Sequence, residues 1–309
     1  MNVYDRISAN TRNTVFILLA FPIALFVMVF LMSLLLVAFD IASTSVLMLC
    51  LMIYPFVLIV AFIWILISYF SGGKMILGMA HARQVTFDDN KELYRLVENT
   101  AIMAGLPMPK IFIIEDNSLN AFATGRNPKE ASIAVTRGIV DKLDEAELQT
   151  VIAHELAHIG NRDIRLMLIT IAGIGCFLFF GEMLIRVAFR SGRGGGKNSG
   201  KAVLVLLAIG VFCLIFGYIV APILRFALSR RREYQADSTA VKITRDPDAL
   251  IRALSKISGD PRVEALDTNR LVGNMCIASP GKVGFISKLY LTHPPMDKRI
   301  EALRGMARD

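Results

Sequence analysis

Charged residues are unevenly spaced along this chain. Four long apolar runs, near residues 15–39, 41–70, 166–185 and 202–224, alternate with stretches of ordinary mixed composition. Val15–Phe39 holds 25 residues without a charge and Ile41–Gly73 holds 33. Crossing the hydrocarbon core takes about 20 helical residues, so each run is long enough. A secretory signal has an apolar core of only about 7–15 residues before a small-residue cleavage site. The first run is longer and leads almost directly into the second, so the pair predicts a retained transmembrane hairpin, with kinks at Pro22 and Pro55. The third run is weaker. Leu166–Gly181 gives 16 uncharged residues before Glu182, which is costly near a bilayer unless paired, and the sequence names no partner for it. Ala202–Leu224 is a clean 23.

The polar stretches Lys74–Arg165 and Arg225–Asp309 together hold 177 residues, enough for one well-packed soluble domain. The organisation read from this pattern is a hairpin over 1–74, a first half-domain over 75–165, a second hydrophobic hairpin over 166–224 and a second half-domain over 225–309. Asp88–Ala104 predicts a helix, stopped by Gly105. Ile111–Ile114 is a short apolar strand, and Ala121–Ala123 and Ala131–Val135 add two more across the polar turn Gly125–Lys129. Asp144 with Glu147 three residues on forms a capping box before Leu148, Val151, Ile152, Leu156 and Ile159, which are apolar at helical spacing. Asp246-Pro247-Asp248 opens a later helix. Arg262–Asp267 makes at most a short helix, and Pro295–Arg304 a closing one. The reading is a membrane protein with four hydrophobic helices and an α+β domain of about three strands.

Composition sharpens this. Of 309 residues, 54% are hydrophobic and 19% charged, with a mean hydropathy of +0.54, values that exclude a disordered chain and argue against a soluble globule. The net charge of +8 suits an anionic membrane surface as well as nucleic acid, and the apolar runs decide for the bilayer. Cys50, Cys176, Cys213 and Cys276 include no CxxC pair and read as small apolar residues. Arg6 and Arg12 precede the first run and Lys74 and Arg83 follow the second, so the positive-inside rule puts the N-terminus and the domain in the cytoplasm. The Gly/Ser-rich loop within 186–201 carries Arg186, Arg190, Arg193, Lys197 and Lys201, which disfavours placing it outside. Arg162, Arg165, Arg225, Arg230, Arg231 and Arg232 weigh on the other flank. Runs three and four are therefore either a crossing hairpin or a re-entrant, protein-packed one.

The chemistry sits on the capped helix. His154-Glu155-Leu156-Ala157-His158 places two histidines at i and i+4, so both imidazoles point from one face toward one metal, and offsets Glu155 so that it can act as base on a water. Half of the four histidines in the chain are spent here. A catalytic zinc takes three protein ligands and keeps one position open. No histidine follows locally, which leaves His81, His293 and the acids. Glu233, in Arg230-Arg231-Arg232-Glu233-Tyr234-Gln235-Ala236-Asp237, is the best acid. Glu233 and Asp237 share a helical face, so one can bind metal while the other accepts a histidine N–H. Spacing alone leaves open that Glu233 only pairs with its neighbouring arginines. His293, stiffened by Pro294-Pro295, is a candidate oxyanion donor, with Arg299 as another and a plain capping role as the alternative.

Taken together these segments resemble the HtpX-type membrane zinc metalloproteases of peptidase family M48, relatives of the CAAX-processing proteases. The resemblance rests on the paired N-terminal helices, Asn120-Ala121-Phe122-Ala123, His154–His158 with Asn161 and Asp163, Ser229–Tyr234 with Ala236-Asp237, and His293-Pro294-Pro295 with Lys298-Arg299-Ile300. It implies a gluzincin-like domain with one zinc per chain. It further implies Glu233 as third ligand, Asp237 and Asn161 supporting the ligands, and Asn120, Ala121, Phe122, Ala123 and Thr124 as an edge strand for substrate. Its functional implication is proteolysis of unfolded or damaged membrane proteins on the cytoplasmic side of the bacterial inner membrane, part of a stress response, without nucleic acid. One departure is Arg162, where the family commonly has glycine; it bears on the local turn and not on the ligands. A peptidase with one dedicated substrate, such as a lipidated protein, would share this chemistry. An intact Glu155 argues against a scaffold with a vestigial site. The spans lack the paired ionisable residues of a transport path.

Overall fold

The computed structural model describes residues 3–191, 199–227, 231–259 and 296–306. The predicted Arg262–Asp267 helix, Cys276, His293 and the centre of the Gly/Ser-rich loop lie outside them. The chain forms two compact units, one from Met1–Thr11, Tyr69–Leu168 and Arg225–Asp309, the other from Arg12–Ser68 and Ile169–Leu224.

The second unit is helical. Helix α1 runs Val3–Ala38 and α2 Val46–Met79, each continuing through its proline, Pro22 and Pro55. Helix α1 starts twelve residues before the apolar run that predicts it. Helices α6 (Asp163–Ser191) and α7 (Ser199–Ala227) complete the set. Their facing sides bury Phe21, Leu25, Val57, Phe177, Ile209 and Cys213. The indole N–H of Trp64 donates to the Ala172 carbonyl at 3.0 Å, and Phe21 meets Phe177 edge-on. Outward residues are large and apolar: Phe16 is 68% exposed, Met52 70% and Phe56 66%. An exterior of this kind suits lipid and not water. Three stretches, Ile7–Ala38, Val46–Met79 and Asp163–Arg190, are long and apolar enough to cross a membrane. These are three of the four helices expected from sequence; for the fourth, α7, the described apolar stretch is Val203–Gly217. Glu182 has the partner the sequence could not name, Arg186 one turn on at 2.8 Å, with both side chains exposed.

The first unit is α+β. Among the described residues its sheet has four strands, β1 (Arg83–Val85), β2 (Lys110–Ile114), β3 (Ala121–Thr124) and β4 (Ser132–Thr136), in the order β1-β2-β4-β3. Strand β1 is the one missing from the predicted three. β2 and β4 are parallel, with Phe112 opposite Ala134, and β3 returns antiparallel on β4, with Phe122 opposite Ala134. Strand β3 therefore stands at the sheet edge. Helix α3 (Lys91–Ala104) is capped by Asn90, whose Oδ1 accepts from the Leu93 N–H, and is closed by Gly105 at φ 65°. A short α4 (Arg137–Lys142), absent from the sequence reading, follows β4. Helix α5 (Glu145–Gly160) has the predicted capping box and is buried on nearly every face, lying against α3 and β3. Helices α8 (Arg231–Thr244), α9 (Pro247–Gly259) and α10 (Met296–Met306) close over it. The core joins Leu93, Val97, Ile111, Ile133, Ile152 and Leu254.

Candidate metal centre

Two helices supply the site, each with residues one turn apart. His154 and His158 rise from one face of α5, their rings edge-to-face with centroids 4.8 Å apart. Beside α5, α8 carries Glu233 and Asp237. The two Nε2 atoms are 3.2 Å apart, His154 Nε2 is 3.6 Å from one Glu233 oxygen, and His158 Nε2 is 3.7 Å from the other. In a tetrahedral site with metal–ligand bonds of about 2.0–2.2 Å, neighbouring donors stand roughly 3.3 Å apart. His154, His158 and Glu233 are the set of donors that could hold a metal ion among the described residues.

The outer nitrogens fix which way the rings face. His154 Nδ1 lies 3.0 Å from Asp237 Oδ1, and His158 Nδ1 lies 2.8 Å from Asp163 Oδ2. With Nδ1–H given to a carboxylate, each Nε2 keeps its lone pair inward, and two lone pairs at that separation need a cation between them. The charge count agrees. Glu155, Glu233, Asp163 and Asp237, all buried, face the guanidinium groups of Arg232 and Arg299, leaving two negative charges for a divalent ion to balance. Burial alone would lower the His154 pKa; its hydrogen bonds to Asp237 and Glu233 outweigh this and raise it to about 9. Burial would raise the Asp237 carboxyl, but Arg299 and His154 hold it at about 2. The centre thus favours positive charge between the imidazoles, and its donor set fits zinc.

Arg299, fully buried on α10, clasps Asp237 with two donors, Nε to Oδ2 at 2.9 Å and Nη2 to Oδ1 at 2.6 Å. Its third nitrogen, Nη1, is 3.8 Å from Glu233. Arg232, the immediate neighbour of Glu233, pairs instead with Asp163 at 2.9 Å. Asn161 ends α5, and its backbone carbonyl accepts from the Asn10 side chain at 2.8 Å. Arg162 follows at φ 60°, the left-handed conformation in which glycine is at ease. Sequence reasoning gives Asp163, Arg232 and Asn10 no role at the site. Only Asp163, an acid five residues past His158, leaves a visible trace.

Strand β3 enters from Asn120, whose N–H donates to Thr136 Oγ1 at 3.0 Å. The Thr136 hydroxyl also reaches the Ser118 carbonyl at 2.6 Å. The backbone of Asn117 and Ser118 runs so close to Gly138 that a Cβ there would lie 2.0 Å from the Asn117 oxygen. These contacts set the start of β3 beside α5.

Residues 88–307 match the family model described as "Peptidase family M48". Curated relatives named "Protease HtpX homolog" match over nearly the whole chain. One from Bacteroides fragilis is 37% identical over 96% of both chains, and one from Listeria monocytogenes is 37% identical over 98% of this chain and all of its own. Among solved structures, the crystal structure of S. mikatae Ste24p covers 89% of this chain and 62% of its own, with a TM-score of 0.49 and 18% identity. The converging histidines and glutamate all fall inside the matched segment, and the chain belongs to peptidase family M48, as a zinc metalloendopeptidase carried on helices of membrane-spanning length.

Proposed function

We propose that this protease sits in the bacterial inner membrane with its α+β unit in the cytoplasm, where it cleaves misfolded or damaged membrane proteins. One observation carries the site: His154 Nε2, His158 Nε2 and a Glu233 oxygen converge, with Glu155 on the same helix as both histidines. These three residues would hold a zinc ion, which would supply Lewis acidity toward a scissile carbonyl and a water. Glu155 takes a proton from that water and returns it to the leaving amine. Asp237 and Asp163 keep the imidazoles turned inward, and Arg299 acts through Asp237 as a positioning residue. That role is the alternative to the oxyanion donor expected from sequence for Arg299.

Substrate backbone is held along Asn120–Thr124. Among the described residues strand β3 pairs with β4 on one side only, and the other edge of such a strand carries N–H and C=O groups that can pair with an extended peptide. Such a groove reads backbone more than side chains, which suits substrates that have lost their fold. Helix α7 completes a second membrane hairpin with α6: at their crossing, a Cβ on Gly181 would lie 3.0 Å from the Gly210 carbonyl. Close approach of small residues is how helices pack in a bilayer.

The test is the set of membrane proteins that accumulates in cells carrying only Glu155→Gln. Many unrelated, damaged proteins support broad proteolysis. A single precursor would replace it with a dedicated processing peptidase. The burial of β3, at most 3% exposed from Ala121 to Thr124, is the observation that favours that second reading.

A further inference from the structure

Residues 3–11 group with the α+β unit, although they begin the same continuous helix that carries the first apolar span. What ties them there is Asn10. Its side chain is buried, and its amide nitrogen donates to the Asn161 carbonyl at 2.8 Å and to Asp163 Oδ1 at 2.6 Å. Asp163 Oδ2 is the acceptor for His158 Nδ1, and Oδ1 also faces Arg232 at 2.9 Å. One carboxylate therefore joins α1, the helix of two ligands and the helix of the third.

We infer that Asn10 is a positioning residue of the zinc site, holding Asp163 so that His158 stays turned toward the metal. This rests on zinc binding by His154, His158 and Glu233. The residue type fits the task. A primary amide has two N–H donors on one nitrogen, enough for both acceptors, and brings no charge. Arg232 already balances Asp163, so a lysine in place of Asn10 would overcharge the node. Carboxylates behind ligand histidines set ring orientation and ligand basicity, and losing such support typically costs about 10–100-fold in metal affinity. Asn10 stands one bond further out, at the lower end of that range. The start of the membrane-entering helix is thus part of the metal site.

The experiment uses the full chain in detergent, with Glu155→Gln to prevent self-digestion, and follows zinc release to a chromogenic chelator. Asn10→Ala is expected to speed release about tenfold, and Thr11→Ala, whose hydroxyl bonds the Ile7 carbonyl of its own helix, to leave it unchanged. Asp163→Ala also speeds release, and adding Asn10→Ala to it should change the rate by less than about twofold, because the path through Asp163 is already gone. Asn10→Ser, with one donor for two acceptors, should repeat the loss if the alanine variant does not fold. Unchanged release from either Asn10 variant overturns the inference, as does full additivity with Asp163→Ala. A parent that binds no zinc overturns the ligand assignment beneath it, which a zinc-binding parent with an indifferent Asn10 does not.

Discussion

His154 Nδ1 and Asp237 Oδ1 meet at 3.0 Å on the side of the imidazole away from Glu233, and Arg299 holds the same carboxylate with two donors. The charge on Asp237 serves both partners. Asp237→Asn keeps the shape but turns one oxygen into a donor facing either a histidine N–H or a guanidinium. Zinc affinity is expected to fall about 10–100-fold, measured by chelator competition on the purified protein. Arg299→Ala should cost less affinity, because the His154 contact survives, but more stability, because it strands a buried carboxylate.

Base and ligand separate cleanly. Glu155→Gln is expected to keep one zinc per chain and lose at least about 100-fold in casein hydrolysis, the contribution of a positioned base. Glu233→Ala is expected to lose zinc and activity together. Metal analysis beside activity decides it: full zinc and activity in Glu233→Ala removes it from the ligand set.

Arg162 occupies φ 60° between the end of α5 and Asp163. A side chain in the left-handed region costs roughly 1–2 kcal/mol, which glycine avoids. Arg162→Gly should raise the thermal midpoint in detergent by a few degrees and leave zinc binding unchanged. A fall would mean that the arginine side chain contributes more than its backbone costs.

Glu147 closes the capping box of α5 and is almost fully buried, yet it also binds Lys256 at 2.6 Å and faces Arg252 at 3.5 Å on α9. Both cations are about half exposed, so their contribution is screened by solvent. Glu147→Ala loses the cap and the α9 tie and should cost about 2 kcal/mol. Glu147→Gln keeps cap geometry and should cost about half as much. Thermal unfolding in detergent separates the two.

What the sequence reveals divides along local and long-range lines. The capping box, the apolar spacing of α5 and the glycine stop of α3 are properties of a few neighbouring residues, and each appears where the pattern puts it. Residues 3–14 continue the helix of the first apolar run although they are mostly polar, and Asn10 there is bonded to residues 151 and 153 positions away, which no hydropathy window sees. Strand β1 is three residues with one buried, too short to show alternation. His154 and His158 are legible from i and i+4. Asp163 lies across a turn made by a left-handed residue, so helical arithmetic cannot bring it to His158. Arg299 reaches His154 over 145 residues.

The last expectation concerns sidedness. From the bases around the first two spans, Lys129 is expected in the cytoplasm and Ser43, in the turn between α1 and α2, outside. Both are exposed, and Cys50, Cys176 and Cys213 are buried, so a chain with Cys276→Ser gives a quiet background for an impermeant thiol reagent. In intact cells Ser43→Cys should react and Lys129→Cys should react only after permeabilisation; the reverse overturns the orientation. Gly195→Cys, outside the described residues, tests the second hairpin. Its loop carries five bases, which the positive-inside rule would keep in the cytoplasm. The α6 and α7 pair, however, is long, and crossing it once each way returns Glu233 to the side of His158, as a shared metal requires. Labelling of Gly195→Cys in intact cells therefore means that packing at Gly181 and Gly210 outweighs those charges. Labelling only after permeabilisation means a re-entrant pair, which meets the same requirement with no crossing at all.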